Sequence, residues 1–184
     1  HSLEAAGEKI LQALRDGTLG SAEVPFDGPV ALDGNLTEEL LQTIATSPLF
    51  AKADLRVAPA SPGKAARLLA LMGHPTATLY VNLEEAGLLC QTEFATSYDG
   101  AAGLLARGAH RVLVTDGGNA AAEGTDGDII SHTPPAVMVT RVTGAGDTFM
   151  AAHIASEAQG MDRIAALTRA SNAAATYVSG ETPL

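Results

Sequence analysis

Short apolar runs alternate with helix-type segments along most of this chain, and this alternation restricts its fold more than any other feature. Runs such as 77–81 (ATLYV) and 111–115 (RVLVT) have the length and residue types of buried strands. Most are followed by a segment whose apolar residues recur at helical spacing. Repeated units of this kind pair their strands in parallel, so the sequence predicts an α/β fold: a doubly wound, mostly parallel sheet with helices on both faces.

The predicted elements occupy most of the chain. Strands are predicted at 29–33, 55–58, 77–81, 111–115, 119–124, 128–133 and 136–140. Helices are predicted at 2–15, 36–46, 61–73, 82–90, 96–107, 146–159 and 162–178. The last three strands are short and closely spaced, with turn residues between the first two of them. This spacing predicts antiparallel strands toward the C-terminal part.

Composition and charge exclude several classes of protein. At 184 residues and 46% hydrophobic content, the chain can form one domain with a substantial core. A net charge of −10 argues against binding to nucleic acid or to an anionic membrane. No apolar run is long enough to span a bilayer. Cys90 is the single cysteine, so the chain has no internal disulfide and a cytoplasmic location is expected.

Polar and glycine-rich residues follow several predicted strands. Ligands of parallel sheets bind beyond the carboxyl ends of the strands. Asn35, Asn82 and the segment 116–118 each come directly after a predicted strand or close to its end, and the segment 144–147 follows the last strand. We therefore expect these positions to share one edge of the sheet.

The segment Gly144-Ala145-Gly146-Asp147 joins a predicted strand to a predicted helix. Glycines at such a junction let backbone N–H groups approach a ligand closely. The first turn of a helix also carries unpaired N–H groups and the positive end of the helix dipole, so it binds anions. A carboxylate there can accept the proton of a hydroxyl that attacks phosphorus. The alternative is a tight turn with an acidic first residue, and these four residues alone do not decide between them.

The longer string Val142–Asp147 (VTGAGD), followed by a helix of small residues, resembles the C-terminal signature of the PfkB/ribokinase family of carbohydrate kinases. The resemblance implies a ribokinase-like fold and transfer of the γ-phosphate of ATP, with Mg²⁺, to a hydroxymethyl group of a sugar or nucleoside. It implies that Asp147 is the catalytic base and that the amides of Gly144, Ala145 and Gly146 form the anion hole. The stretches 58–65 and 141–143 are most similar to the branch that contains pseudouridine kinases.

Asn82 and Glu85 have the form N-x-x-E at the start of a predicted helix. On physical grounds a capping box is the favoured interpretation, because an Asn cap with Glu three residues later is common. The resemblance implies a second role, in which Glu85 and Asn82 organise Mg²⁺ and phosphate, usually through water. One carboxylate together with substrate phosphates can hold Mg²⁺. Both interpretations can hold at once.

Further site residues follow from the resemblance alone. It implies that Thr115, Gly117 and Gly118 contact the nucleotide phosphates and ribose, although a glycine pair there also suits a simple turn. It implies that Asn172 lies at the adenine pocket, although by pattern alone this is a core position. Asn35 is implied to contact the substrate near the phosphates, whereas Asp33 is better explained as a cap.

Three other residues are assigned lesser roles. Lys64 is expected to be a solvated helix residue, and His153 a packed or partly exposed one. Arg141 stands where members of the family often have an Asp that helps to bind an activating monovalent cation. A guanidinium cannot ligate a cation, so activation by K⁺ is doubtful.

The resemblance covers 29–178 and corresponds to the nucleotide-binding and catalytic C-terminal part of a ribokinase-like domain. We therefore expect residues 1–184 to form that part, with the N-terminal substrate and lid part absent. The implied partners are a small-molecule sugar or nucleoside and a second copy of the chain, bound through the absent lid. The main alternative is a nucleotide-binding module without catalysis. A phosphomethylpyrimidine-type kinase of the same architecture ranks lower.

Overall fold

The computed structural model describes residues 9 and 11–180, which contain one six-stranded sheet in the order β1-β2-β3-β4-β5-β6. The strands are β1 (Pro29–Asp33), β2 (Asp54–Ala58), β3 (Ala77–Asn82), β4 (Arg111–Thr115), β5 (Ala121–Thr125) and β6 (Asp128–His132). Strands β1 to β4 are parallel, whereas β5 and β6 are antiparallel to their neighbours. The predicted fold class is confirmed.

Six α-helices and two 3₁₀ helices surround the sheet in the described residues. The α-helices are α1 (Gln12–Arg15), α2 (Glu38–Thr46), α3 (Leu83–Cys90), α4 (Ser97–Ala106), α5 (Ala145–Ala158) and α6 (Arg163–Ser179). The 3₁₀ helices are Pro48–Phe50 and Pro62–Leu71. Of the predicted helix at 2–15, residues 2–8 and 10 lie outside the described residues.

Two apolar clusters lie on opposite faces of the sheet because alternate strand residues point to opposite sides. The larger cluster joins alternate residues of β2 to β4, such as Leu55 and Leu79, to the helices between the strands. The helices between consecutive parallel strands pack together against this one face, as crossovers of a single hand require. The smaller cluster, which includes Tyr80, Leu113 and Phe149, lies under α5 and α6 on the other face.

The segment 136–140, predicted as a strand, is not one. Its five residues are exposed and have no regular structure, and Met138 is 83% exposed. Pro134 and Pro135 precede it, and proline has no N–H to pair with β6. The segment instead leaves the sheet and carries the chain to the start of α5.

The predicted helix at 61–73 is a 3₁₀ helix from Pro62 to Leu71. Its end bonds span three residues, as in Met72 N–H to the Leu69 carbonyl at 3.2 Å. Apolar spacing does not distinguish a period of 3.6 residues from one of 3.0 over ten residues, so the sequence could not show this difference.

Candidate active site

The carboxyl ends of the parallel strands form one edge of the sheet. The last residues of β1 and β2, Asp33 and Ala58, are register partners. The last residues of β3 and β4, Asn82 and Thr115, are partners in the same way. The structure therefore brings the polar groups that follow these strands to one edge, as expected for a ligand site.

Helix α5 directs its N-terminus toward this edge. Near its other end, Glu157 accepts hydrogen bonds from Arg111, the first residue of β4, and from Arg56. One turn earlier, His153 contacts the Tyr80 hydroxyl at 2.8 Å, in the middle of the sheet. Asp147 lies ten residues before Glu157, which corresponds to about 15 Å along the helix axis. Asp147 therefore lies toward the carboxyl edge, and its side chain is exposed.

The turn before α5 leaves backbone donors free. The Ala145 N–H donates to the Val142 carbonyl at 3.1 Å, and the Thr148 N–H makes the first helical bond, to Gly144 at 2.9 Å. Gly144 caps the helix with φ 91° and ψ −2° and supplies no side-chain cap. In the described part of the chain, the Gly146 and Asp147 amides, within the first turn, have no capping acceptor. These amides can bind an anion beside the Asp147 carboxylate. The resemblance implied an anion hole of the Gly144, Ala145 and Gly146 amides, but the Ala145 N–H is already bonded within the turn, and the Asp147 amide is free instead.

Gly144→Ala is expected to destabilise the protein by about 1–3 kcal/mol, because φ is positive and strained for an L-residue. A Cβ there would also lie 2.6 Å from the Tyr177 hydroxyl oxygen. The matched control is Gly146→Ala, whose Cβ would meet nothing within 4 Å. Urea unfolding of both variants measures the difference, and equal stabilities would contradict this explanation.

Asn82 and Glu85 form a capping box at the start of α3. The Asn82 side chain accepts from the Glu85 N–H at 2.8 Å, and Glu85 accepts from the Asn82 N–H at 2.9 Å. The capping interpretation is therefore confirmed. Glu85 is 7% exposed, and burial raises its pKa despite the bond from Asn82. Burial therefore disfavours the charged carboxylate, and a nearby cation would favour it.

The turn after β4 is open toward solvent. Asp116 accepts from Asn119 through both its carbonyl, at 2.8 Å, and its carboxylate, at 3.0 Å. Gly117, with φ 54°, and Gly118 are exposed, and a Cβ on either would meet nothing within 4 Å. Thr115 is half-buried at the strand end. The turn thus presents free backbone at the same edge as Asn82.

Asn172 is exposed on α6, so the core position suggested by its pattern is wrong. Helix α6 starts at the opposite edge of the sheet, where Arg163 pairs with Asp128 at 2.7 Å. Its last turn contacts the α5 turn through Tyr177, whose hydroxyl donates to Thr143. Asn172 precedes Tyr177 by about 7 Å along the helix axis, and so lies in the half of α6 nearer the candidate site.

Lys64 does not act only as a solvated helix residue. Its ammonium group donates to the Asn35 amide oxygen, and Asn35 in turn donates to the Asp33 carboxylate from both its backbone, at 2.8 Å, and its side chain, at 3.1 Å. Arg67, three residues after Lys64, donates to the Gly34 carbonyl at 2.8 Å. The positively charged side chains of Lys64 and Arg67 therefore both lie near Asn35, at the carboxyl end of β1. The contact joins two segments that are distant in the sequence, so the local sequence pattern did not indicate it.

A buried network of ion pairs connects α5 and α6 to the sheet. The sequence pattern did not predict it. Glu123 is fully buried and accepts from Arg111 at 2.6 Å and from Arg163 at 3.1 Å. Its other oxygen lies 3.7 Å from His153, which is fully buried and therefore packed, as expected. Burial alone would raise the pKa of Glu123, but His153 and the two arginines outweigh it and lower the pKa to about 2.

The described residues contain no group of three or more His, Cys, Asp or Glu side chains arranged to hold a metal ion. A Mg²⁺ ion at Glu85 would therefore need oxygen atoms from a bound substrate, which is how Mg²⁺ binds in many phosphate sites. Within the same residues, no helix is both long and apolar enough to cross a membrane.

This fold and this edge define an α/β protein in which free backbone N–H groups at a helix N-terminus lie beside an exposed carboxylate. The family model of the pfkB family carbohydrate kinases matches residues 21–182. The chain belongs to the pfkB family of carbohydrate kinases. The search of curated proteins gives no significant match.

Solved structures of the same fold include several kinases. A carbohydrate kinase from Agrobacterium tumefaciens is 26% identical with a TM-score of 0.73, over 94% of this chain and 53% of that one. Ribokinase from Thermotoga maritima is 20% identical with a TM-score of 0.69, over 89% and 52%. An Escherichia coli protein described as a putative ribokinase II, in complex with ATP and Mg²⁺, is 21% identical with a TM-score of 0.63, over 82% and 52%. The chain spans about half the length of these structures.

Proposed function

We propose that this chain carries the nucleotide-binding and catalytic part of an ATP- and Mg²⁺-dependent kinase that phosphorylates a hydroxymethyl group of a sugar or nucleoside. The observation that carries the proposal is the exposed Asp147 carboxylate within a helix first turn whose amides are free. Membership of the pfkB family supports the kinase class. We propose pseudouridine as the nucleoside, because the stretches 58–65 and 141–143 resemble the branch of the family that contains pseudouridine kinases.

In the proposed reaction Asp147 accepts the proton of the acceptor hydroxyl as its oxygen attacks the γ-phosphorus of ATP. The bond from phosphorus to the bridging oxygen breaks, and ADP leaves. The Gly146 and Asp147 amides and the dipole of α5 stabilise the charge on the transferring group. Positioning and charge stabilisation carry most of phosphoryl transfer, so a weak base is sufficient.

The remaining edge residues are assigned to the nucleotide and the acceptor. Thr115 with the open backbone of Gly117 and Gly118 would contact the phosphates and ribose, and Asn172 would approach the adenine. Asn35, beside the Lys64 ammonium, would face the acceptor or its phosphate. These assignments follow from the shared edge and the family.

Mg²⁺, when bound, would neutralise charge on the phosphates, and Glu85 with Asn82 would hold it, in part through water. The proposal includes no monovalent cation, because the Arg141 guanidinium at that position is a donor only. A homodimer formed through a lid and a cytoplasmic location stay predictions.

Glu85→Gln is expected to weaken Mg²⁺-dependent ATP binding about tenfold or more, the usual size for loss of a residue that supports a metal site. The fold should be kept, because Gln can also complete a capping box. Burial raises the pKa of Glu85, so in the unmodified protein Mg²⁺ affinity should fall as the pH decreases through that raised pKa. Calorimetry with ATP and varied Mg²⁺ measures both effects. Glu84→Gln, on the exposed neighbour, is the matched control, and equal Mg²⁺ affinities in the two variants would contradict the assignment.

A nucleotide-binding module without catalysis is the second candidate, because the chain spans only about half of the kinases that it matches. Calorimetry with ATP–Mg²⁺ and a coupled kinase assay against ribose, fructose, pseudouridine and adenosine separate the two. We expect both binding and turnover with one of these acceptors. Binding with no turnover by the complete protein would favour the module.

A further inference from the structure

Arg141 lies in the segment before the α5 turn and contacts the end of α6. Its Nε donates to the Tyr177 carbonyl at 2.7 Å, and its guanidinium carbon lies 3.9 Å from the centroid of the Tyr177 ring. The N–H groups of Thr140 and Arg141 both donate to the Val178 carbonyl, at 2.7 and 3.2 Å. Carbonyl groups in the last turn of a helix lack helical partners and favour a cation, so this is a stable place for a guanidinium.

Tyr177 extends this contact into the turn itself. Its hydroxyl donates to the Thr143 carbonyl at 2.8 Å. The same hydroxyl fills the space beside Gly144, where a Cβ would approach it to 2.6 Å. The residues directly before the free amides of Gly146 and Asp147 are therefore held from one side by a single aromatic side chain.

We propose that Arg141 and Tyr177 are positioning residues, which hold the turn at 142–145 so that the Gly146 and Asp147 amides point at one place before a ligand arrives. The effect on catalysis rests on the proposed function, whereas the effect on the turn does not. Donors fixed in advance need no reorganisation when charge develops on the transferring group.

The pair is not required to hold α6 in place. Leu167 and Ala170 are fully buried in the second core cluster, and Asp162 caps the helix by accepting from Ala165 at 2.8 Å. Each contact of the Arg141 and Tyr177 pair is exposed, and exposed contacts contribute little to global stability. Loss of the pair should therefore loosen the turn and leave the helix folded.

The test uses Tyr177→Phe, which removes only the hydroxyl, and Arg141→Met, which removes the charge. Hydrogen exchange measured by NMR should become about three- to tenfold faster at the Ala145 and Thr148 amides, the size expected for loss of one hydrogen bond. The Leu167 amide should not change. Tyr98→Phe and Arg169→Met are matched controls on exposed residues away from the turn, and should behave as the unmodified protein.

Kinetics supply the second measurement. With turnover present, kcat should fall about three- to tenfold in Tyr177→Phe while KM for ATP–Mg²⁺ stays within twofold, since the amides act on the transferring group. Arg141→Lys should recover only part of the kcat that Arg141→Met loses, because an ammonium group lacks the planar array of donors of a guanidinium.

Unchanged exchange at Ala145 and Thr148 in both variants would overturn the proposal. Faster exchange spread evenly over α6 would also overturn it, because the role would then be general stability. Faster exchange confined to the turn, together with no turnover by the complete protein, would support the positioning role and argue against the proposed function.

Discussion

Asp147→Asn is expected to lower kcat by about 10²–10⁴-fold, the usual contribution of a general base, while ATP–Mg²⁺ binding is retained. Asn keeps the size and a polar group at the helix N-terminus, but it cannot accept the proton of the acceptor hydroxyl. The side chain is exposed, so the substitution should leave stability nearly unchanged. Steady-state kinetics and calorimetry on the same preparation give the two values.

Asp162→Asn is the matched control for that experiment. Asp162 is also an exposed acid at a helix N-terminus, but α6 begins at the opposite edge of the sheet. Asn caps a helix as well as Asp does, so both turnover and stability should be retained. Equal turnover in the unmodified protein and in Asp147→Asn would remove Asp147 from the mechanism.

Glu123→Gln is expected to lower the free energy of unfolding by about 3–5 kcal/mol, because Arg111 and Arg163 each lose the fully buried one of their two carboxylate partners. For a chain of this size the melting temperature should fall by about 6–20 °C. Asp128→Asn is the matched control. It removes a second partner of Arg163, but the Asp128 side chain is 68% exposed, so we expect a change within about 1 kcal/mol.

The effect of Glu123→Gln on the free energy of unfolding should depend on pH. The pKa of Glu123 is lowered from 4.5 to about 2, so its charged form stabilises the folded state. That stabilisation is complete above about pH 4.5 and is lost as the pH falls toward 2. The difference in unfolding free energy between the unmodified protein and Glu123→Gln should therefore narrow over that range. Urea unfolding at several pH values measures it, and a constant difference would contradict the account.

Much of the fold could be predicted from the sequence because strand and helix periods differ and the strands are separated by clear helices. The segment 136–140 was misassigned because its alternating valines suit a strand, whereas the two prolines before it lack the N–H groups that pairing with the open edge of β6 needs. Pairing depends on which edge is available, and a local pattern does not contain that information.

The edge of the candidate site could be predicted for Asn35, Asn82 and 116–118 because each follows a parallel strand, and parallel strands end together. The segment 144–147 follows no strand and lies toward this edge because α5 packs over the sheet.

The ionic network could not be predicted, because its members come from four separate elements. Arg111 and Glu123 stand in strands, Glu157 in α5 and Arg163 in α6. A charged residue within an apolar strand was the available signal, but only the packing of α5 and α6 over the sheet shows which charges meet.

An NMR titration of the ¹⁵N-labelled chain with a non-hydrolysable ATP analogue and Mg²⁺ tests the central claim most directly. If the first turn of α5 binds the phosphates, the Gly146 and Asp147 amide signals should shift downfield at saturation, together with Gly117 and Gly118. Binding that leaves the Gly146 and Asp147 signals unchanged would contradict the account.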